Sequence, residues 1–496
     1  MKTITLKYIG LVCFVASIIT SCQLTEPLDD LEPLFQLNAD NAIATSTSAE
    51  LALIGAYTGF RQNTGGGTPE LFMFPSFMSG LAAPTFFFDD PENNGFVINN
   101  PVSVGTRTNR EAYSGMYSLI RRCNLVILGL PNVPDNEFGS NPARRAEIMA
   151  EAKALRATAN FYLLRLWGQF YDVNSSFGIV LRNDLPVSSE ELFPRSTVLE
   201  VYDAIIADLD DAILNAPDLR AKFYINKTYA KALKSKVLLY KGEYAEAATL
   251  AKDVIDNSGA SFSLAATFDE VFDNSSLALF DSNEVIFGTK GEPGALVAMG
   301  NLWGFYPAIE PAVLTFAATG TMDIGGQMIN YDSNRASSQF IPGNFGIGNH
   351  KYNAQAGDAF EFVYHMRMAE LYLIFAEADA RATNSVSTDA LDALNAVRMR
   401  AGATTTGADG FETYPAAITY NQFLEAVRVE KYIELGGEMG EEWYDLVRYD
   451  FADGFGSGFQ VSDVKPTATD SDKFILPIVF EVIQAGGNVV DQNPSY

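Results

Sequence analysis

Residues 231–255 read KALKSKVLLYKGEYAEAATLAKDVI, and the fold turns on how that stretch is read. Gly242 divides it. Before the glycine, small and apolar residues recur at helical spacing up to Tyr240. After it, Tyr244 and Ala247 open a second stripe, which Ala251 and Val254 continue. Glycine is the usual residue where a helix ends in a left-handed turn. The stretch therefore reads as two helices joined tightly. Such a pair cannot bury both stripes alone and needs further helices stacked beside it. An ordinary helical hairpin satisfies the same spacing and stays open as an alternative.

The spacing is that of a tetratricopeptide repeat. A second pair reads YHMRMAELYLIFAEADARAT (364–383) with STDALDALNAVRMRAG (387–402). Upstream, RSTVLEVYDAIIADLDDAILNAP (195–217) opens on a capping candidate, Ser196 or Thr197, and stops at Pro217. NPARRAEIMAEAKALRATANFYLLRLWGQF (141–170) is a long Ala-rich helix. In TNREAYSGMYSLIRRCNLVILGLPNV (108–133), Tyr113, Tyr117, Ile120 and Asn124 share a face, and Asn109 is placed as the cap. Helical patterns also run over 47–62, 421–437 and 441–454. The expectation is a mostly α chain, a tetratricopeptide-like helical repeat scaffold. Its helices occupy about 46–62, 109–257 and 359–449, with long irregular loops over about 63–108, 258–358 and 401–419. A few short strands are expected, NEVIFGTK (283–290) being the clearest.

The 496 residues carry 61 acidic and 34 basic side chains, a formal charge of −27. No basic excess is available to replace phosphate counterions, so nucleic acid is a poor partner. The first 22 residues read as a targeting segment. Lys2 and Lys7 give a positive start, and residues 8–19 are mostly apolar but too few to span a membrane. The box ITSC (19–22) predicts a cut before Cys22 and a diacylglycerol on its thiol, a further acyl chain then holding the protein firmly. A plain secretory signal is the alternative. Residues 1–21 are then a signal peptide, 22–45 a lipidated tether and 46–496 a single domain. Removing 1–21 deletes two lysines, so the charge goes from −27 to −29, and leaves Cys22 and Cys123. With Cys22 lipidated, Cys123 is read as a buried small hydrophobe.

RMAELYLIFAEADAR (367–381), ALDALNAVRMRAG (390–402), FLEAVRVEKYIELGGEMGEEWYDLVRYD (423–450) and the closing QNPSY (492–496) follow one another in order. With EAKALRATANFYLLRLWGQF (151–170) and YAKALKSKVLLYKGEYAEAATLAKDVI (229–255), they resemble the starch-binding, SusD/RagB-type outer-membrane lipoproteins of the Bacteroidetes. The resemblance covers nearly all of the chain after residue 22. It implies one helical-repeat domain whose loops carry the ligand site, with no catalysis and no cofactor. It further implies a glycan-binding lipoprotein of the outer membrane, lipid-anchored and facing outward. Such a protein captures oligosaccharides and delivers them to a TonB-dependent, SusC-like transporter. A peptide- or protein-binding uptake lipoprotein of the same family is the alternative, and a surface glycoside hydrolase a more distant one. Glu430, Glu434, Trp443, Asp445 and Arg448 stand in family-like places and are read as structural. The family usually has an arginine just before the Trp/Tyr–Asp–Leu element. Here that place holds Glu442, which puts the local ion-pair network in question.

Sugar binding needs a flat apolar face for ring C–H groups and polar groups for hydroxyls, and aromatic rings supply the face at low entropic cost. Loops leave such rings free of helix stacking. NLWGFYPAIEP (301–311) offers Trp303, Phe305 and Tyr306, with Asn301 and Glu310 nearby. Trp167 and Trp443 lie in helical patterns, so Trp303 is the first choice as ligand platform, against packing of its loop onto the scaffold. PELFMFPSFMSGLAAPTFFFDDPENNGF (69–96) offers Phe86, Phe87 and Phe88, which cannot all face one way, with Asp89, Asp90, Asn93 and Asn94. Contact with the transporter is another use for it, and NNGF is also turn chemistry. Catalytic patterns are weak. Adjacent acids such as Glu441/Glu442 and Asp210/Asp211 do not face each other across a cleft. His350 and His365 fit no zinc spacing, no GxSxG elbow occurs, and DDPENNG (89–95) lacks the EF-hand register, so no metal site is expected.

Overall fold

The computed structural model describes residues 42–64, 70–102, 107–185, 192–273, 280–291, 302–303, 305–332, 335, 340–342, 346–349, 351–352, 362–405, 410–487 and 489–496. Helix α1 (Ser46–Thr64) is followed by α2 (Glu70–Ser79), strand β1 (Ala82–Pro84) and α3 (Pro91–Val97). Long helices come next: α4 (Arg107–Gly129), α5 (Ala143–Trp167), α6 (Val198–Asn215), α7 (Lys227–Lys241) and α8 (Tyr244–Asn257). The region after them holds β2 (Val285–Lys290), β3 (Pro307–Ile309), α9 (Pro311–Thr319), β4 (Thr321–Ile324), β5 (Gln327–Asn330), β6 (Phe340–Pro342), β7 (Ile347–Asn349) and β8 (Phe362–Arg367). Helices α10 (Met368–Thr383), α11 (Thr388–Arg400), α12 (Tyr420–Leu435), α13 (Glu441–Ala452) and α14 (Phe480–Ala485) complete the chain. Residues 43–496 form one compact unit. Cys22 and the rest of the targeting segment lie outside the described residues.

Packing follows the sequence. Helix α1 packs on α4 and α5, then α4 on α5, α5 on α6, α6 on α7 and α7 on α8. The stack continues across the insertion, from α8 to α10, and from there to α11 and α12. Helix α13 packs on α12 and on α2. Buried alanines on facing helices, among them Ala232, Ala247, Ala251 and Ala376, let the backbones approach. Gly242 adopts φ +87° at the end of α7, a left-handed conformation that any side chain would strain. Thr197 caps α6 in a reciprocal box with Glu200, an arrangement that stabilises a helix start by about 1 kcal/mol. Cys123 is buried in α4, and burial pushes its thiol up to about 12.

Three local expectations are corrected. Residues 70–79 form a helix despite Pro75, because Leu71, Phe72, Met73, Phe74, Phe77 and Met78 are all buried. Packing on every side outweighs the local cost of a proline in the helix. NNGF lies in α3, which Asp90 caps by accepting from the Asn93 amide, with Pro91 at the first helical position. Asn109 does not cap α4. It is buried inside the helix, accepts from Trp167 Nε1 at 2.9 Å and donates to Pro477 O at 3.1 Å, so it joins three distant segments.

The strands form two-stranded antiparallel pieces, β1–β3, β2–β8, β4–β5 and β6–β7. Strand β2 carries the NEVIFGTK pattern. His365 on β8 is buried, with the Tyr162 and Thr289 hydroxyls on its two ring nitrogens, both at 2.7 Å. Burial pushes its imidazole down to about 3, a neutral core histidine. His350 lies outside the described residues.

Candidate functional site

Strands β1 and β3 pair Ala82 with Ile309, Ala83 with Ala308 and Pro84 with Pro307. This short ladder brings the two aromatic stretches together. The Thr85 amide donates to Tyr306 O at 2.9 Å, and the Thr85 hydroxyl donates to Phe305 O. The rings then meet in a chain. Phe86 and Phe87 have centroids 3.8 Å apart, Phe87 and Phe305 5.5 Å, Phe88 and Phe305 5.4 Å, and Phe88 and Tyr306 3.8 Å. Phe86 is 71% exposed, Phe87 50% and Phe305 40%. Phe88 and Tyr306 are half-buried behind them. The result is an apolar, ring-faced surface built from two loops.

Its polar rim is partly spent on structure. Asn93 is 2% exposed, and its amide donates to Phe88 O, Asp90 Oδ2 and Tyr306 OH at 3.1, 2.8 and 3.0 Å. Asn93 thus ties the two loops together rather than facing a ligand. Exposed Asp89 accepts from Asn94 Nδ2 at 2.6 Å and keeps acceptor capacity toward solvent.

Trp303 is not part of this surface. It is 4% exposed and stacks on Phe72 of α2, with centroids 5.5 Å apart. On another side lies Gly437 at φ +80°, where a Cβ would stand 2.9 Å from Trp303 Cζ2 and 2.5 Å from Asn349 Nδ2. Its indole N–H meets no acceptor among the described residues. The residue chosen first as platform is an anchor that fixes its loop to the scaffold. Asn301 lies outside the described residues. The convergence of the two stretches was not read from the sequence. The available signal was a pair of short extended triplets, AAP and PAI, each directly beside an aromatic run.

Comparisons with known proteins now bear on this arrangement. Residues 332–496 match the family model "SusD family", and residues 80–239 match "Starch-binding associating with outer membrane". A SusD-like protein P38 of Formosa agariphila is 24% identical over 61% of this chain and 54% of its own length. A SusD-like protein of Bacteroides ovatus is 24% identical over 68% of this chain and 65% of its own length. This chain therefore spans between half and two thirds of these curated relatives. A solved structure titled "Laminarin binding SusD-like protein" superposes with a TM-score of 0.71 at 22% identity, over 91% of this chain and all of that one. A SusD superfamily protein of Bacteroides thetaiotaomicron gives 0.68 at 21%, again over 91% of this chain. The chain belongs to the SusD/RagB family. The "starch-binding" match takes in Phe86, Phe87 and Phe88, whereas Phe305 lies between the two matched stretches.

The SusD-type motif residues lie in the core. Glu430 pairs with Arg398 at 3.1 Å and Arg335 at 2.8 Å. Glu434 pairs with Arg335, Arg367 and Arg400 at 2.6, 3.0 and 2.5 Å. Burial raises the Glu434 carboxyl, but Arg400, Arg367 and Arg335 together hold it well below the usual carboxylate range. Arg448 pairs with Glu377 and with Asp445, each at 2.5 Å, and Trp443 Nε1 donates to Phe474 O at 3.2 Å. Glu442, where the family usually has arginine, forms no ion pair among the described residues. It accepts from the Ser76 hydroxyl of α2 at 2.5 Å and from the Gly437 amide at 3.3 Å, and burial pushes its carboxyl up to about 7. Glu442 thus bridges α13, α2 and the turn beside Trp303.

Proposed function

We propose that this chain is a non-catalytic, cell-surface glycan-binding lipoprotein that captures oligosaccharides and delivers them to a TonB-dependent, SusC-like outer-membrane transporter. The observation that carries the reading is the ring surface of Phe86, Phe87 and Phe305. Those rings stay in water while Phe72, Phe74 and Phe77 of neighbouring α2 are fully covered. Exposing apolar area costs roughly 25 cal/mol per Å², so a cluster of exposed rings is best explained by a ligand that covers it. Sugar rings fit, because their C–H faces lie flat on aromatic rings while their hydroxyls reach rim groups such as Asp89. The laminarin-binding relative and the starch-binding description of the matched model favour a glucan. The ITSC box supports a lipid on Cys22, and the same description supports an outer-membrane address.

Isothermal titration of the purified protein with laminarin, starch, xylan and pectin fragments, and with a peptide mixture, tests the reading. One glucan class is expected to bind. Phe305→Ala is expected to weaken that binding roughly tenfold, about 1.4 kcal/mol, with the circular dichroism spectrum unchanged. Binding of peptides and of no glycan would overturn the proposal, and unchanged affinity in Phe305→Ala would remove the ring surface as its site.

A further inference from the structure

A cleft of about 390 Å³ opens on the scaffold between α1, the segment at Phe223 and Tyr224, and β2. None of its lining residues belongs to the ring surface described above. Small-molecule sites typically begin near 300 Å³, so one sugar unit fits. Its walls are aromatic. Tyr57 and Tyr224 meet edge to face at 5.2 Å, and Phe223 lies 4.9 Å from Tyr224. All three rings are half-buried, so each keeps a part open to the cleft. Two cations also line it, Arg61 and Lys290. Among the described lining residues there is no aspartate or glutamate, in a chain whose formal charge is −27.

The state of Lys290 adds a second observation. Its ammonium lies 4.8 Å from the Phe280 ring centre and 5.4 Å from that of Phe223, and it forms no ion pair among the described residues. The carboxylate behind Tyr57 is not available to it. Glu151 is fully buried and is held by Arg144 at 2.6 Å, by Arg220 and by the Tyr57 hydroxyl at 2.5 Å. The cleft therefore combines ring faces, a hydroxyl on Thr58 and the Lys290 ammonium.

We propose that this cleft is a second binding site for a sugar unit bearing an anionic substituent, a carboxylate or a sulfate ester. The proposal rests on the glycan reading above, at a different place on the molecule. The sugar face lies against Tyr57 and Tyr224, and the substituent is drawn to Lys290 and Arg61. Charged glycans would then be gripped at two places, neutral ones only at the ring surface.

Isothermal titration of the full protein with galacturonate, glucose 6-sulfate, glucose and inorganic sulfate tests this, alongside the Lys290→Gln and Arg61→Gln variants. One or both charged sugars are expected to bind, to bind more weakly at high salt, and to lose at least tenfold in affinity in either variant. Which of the two binds identifies the substituent. Phe305→Ala is expected to leave this binding unchanged, and Lys290→Gln to leave glucan binding at the ring surface unchanged. That separation distinguishes failure of the cleft from failure of the glycan reading. Absence of binding by both charged sugars, equal binding in Lys290→Gln, or inorganic sulfate binding as tightly as its sugar ester would overturn the proposal.

Discussion

Trp303 and Phe305 stand two positions apart and have opposite fates. The first is a buried anchor against Phe72, the second an exposed ring beside Phe87. Their substitutions should therefore differ in kind. Trp303→Ala is expected to destabilise the fold by about 3–5 kcal/mol, seen as a lower urea midpoint, whereas Phe305→Ala should leave that midpoint in place. Equal midpoints for Trp303→Ala and wild type would show that the indole is not a packing anchor. From the sequence, Phe86–Phe88 were legible as partly outward-facing, since three consecutive rings cannot all find one core. Trp303 was misread because a Gly/Pro-bounded loop suggests exposure. Its cover comes from α2, a segment whose helicity depends on tertiary burial and shows no local signal.

Glu442 belongs to the same scale. With its carboxyl pushed up to about 7, the folded chain keeps a proton that the unfolded chain releases above the ordinary carboxylate range. This group's contribution to stability thus falls as pH rises from about 4.5 to about 7. Glu442→Gln should match wild type near pH 4 and exceed it by on the order of 3 kcal/mol at pH 8, measured by urea denaturation at both values. A difference that does not grow between them would contradict the assignment.

At the scale of elements, the repeat pair at Gly242 was legible because its helices obey local rules: periodic stripes and a left-handed stop at the glycine. The β1–β3 ladder was not, because three residues on each side carry almost no pattern. Helix α3 shows how elements support the site. It is short, capped by Asp90, and holds Asn93 against Tyr306. Asp90→Ala is expected to cost about 1 kcal/mol locally and to loosen the ring surface. The predicted outcome is faster amide exchange over residues 91–97 and weaker glycan binding, with little change in global melting temperature. Unchanged exchange there would show that the cap is dispensable.

Over the whole molecule, the ion pairs among Glu284, Glu434, Glu438, Arg367 and Arg400 join the β2–β8 strands to α11, α12 and the turn after α12. Removing Arg367 takes one countercharge from each of three buried carboxylates, leaving Glu438 to Lys351, Glu284 to Arg400, and Glu434 to Arg335 and Arg400. Arg367→Met is expected to cost about 3–5 kcal/mol, read by thermal or urea unfolding. The pH dependence follows from the depressed carboxyl of Glu434, which Arg367 helps to hold down. Its stabilisation is present in full above the unfolded carboxylate range and is lost only as pH falls below it toward the depressed value. Arg367→Met should therefore differ from wild type most near neutral pH and least in strong acid.

The hydroxyl of Thr85 reaches a carbonyl 220 positions further along the chain. During synthesis no part of that contact can form until the ribosome has passed Phe305, long after the α4–α8 helices have been completed. The loop that must close is large, and its entropy is recovered only when the ladder zips. The ladder is thus a late contact: α4–α8 are already made when its second strand appears, while α10–α13, which complete the stack, are still to come.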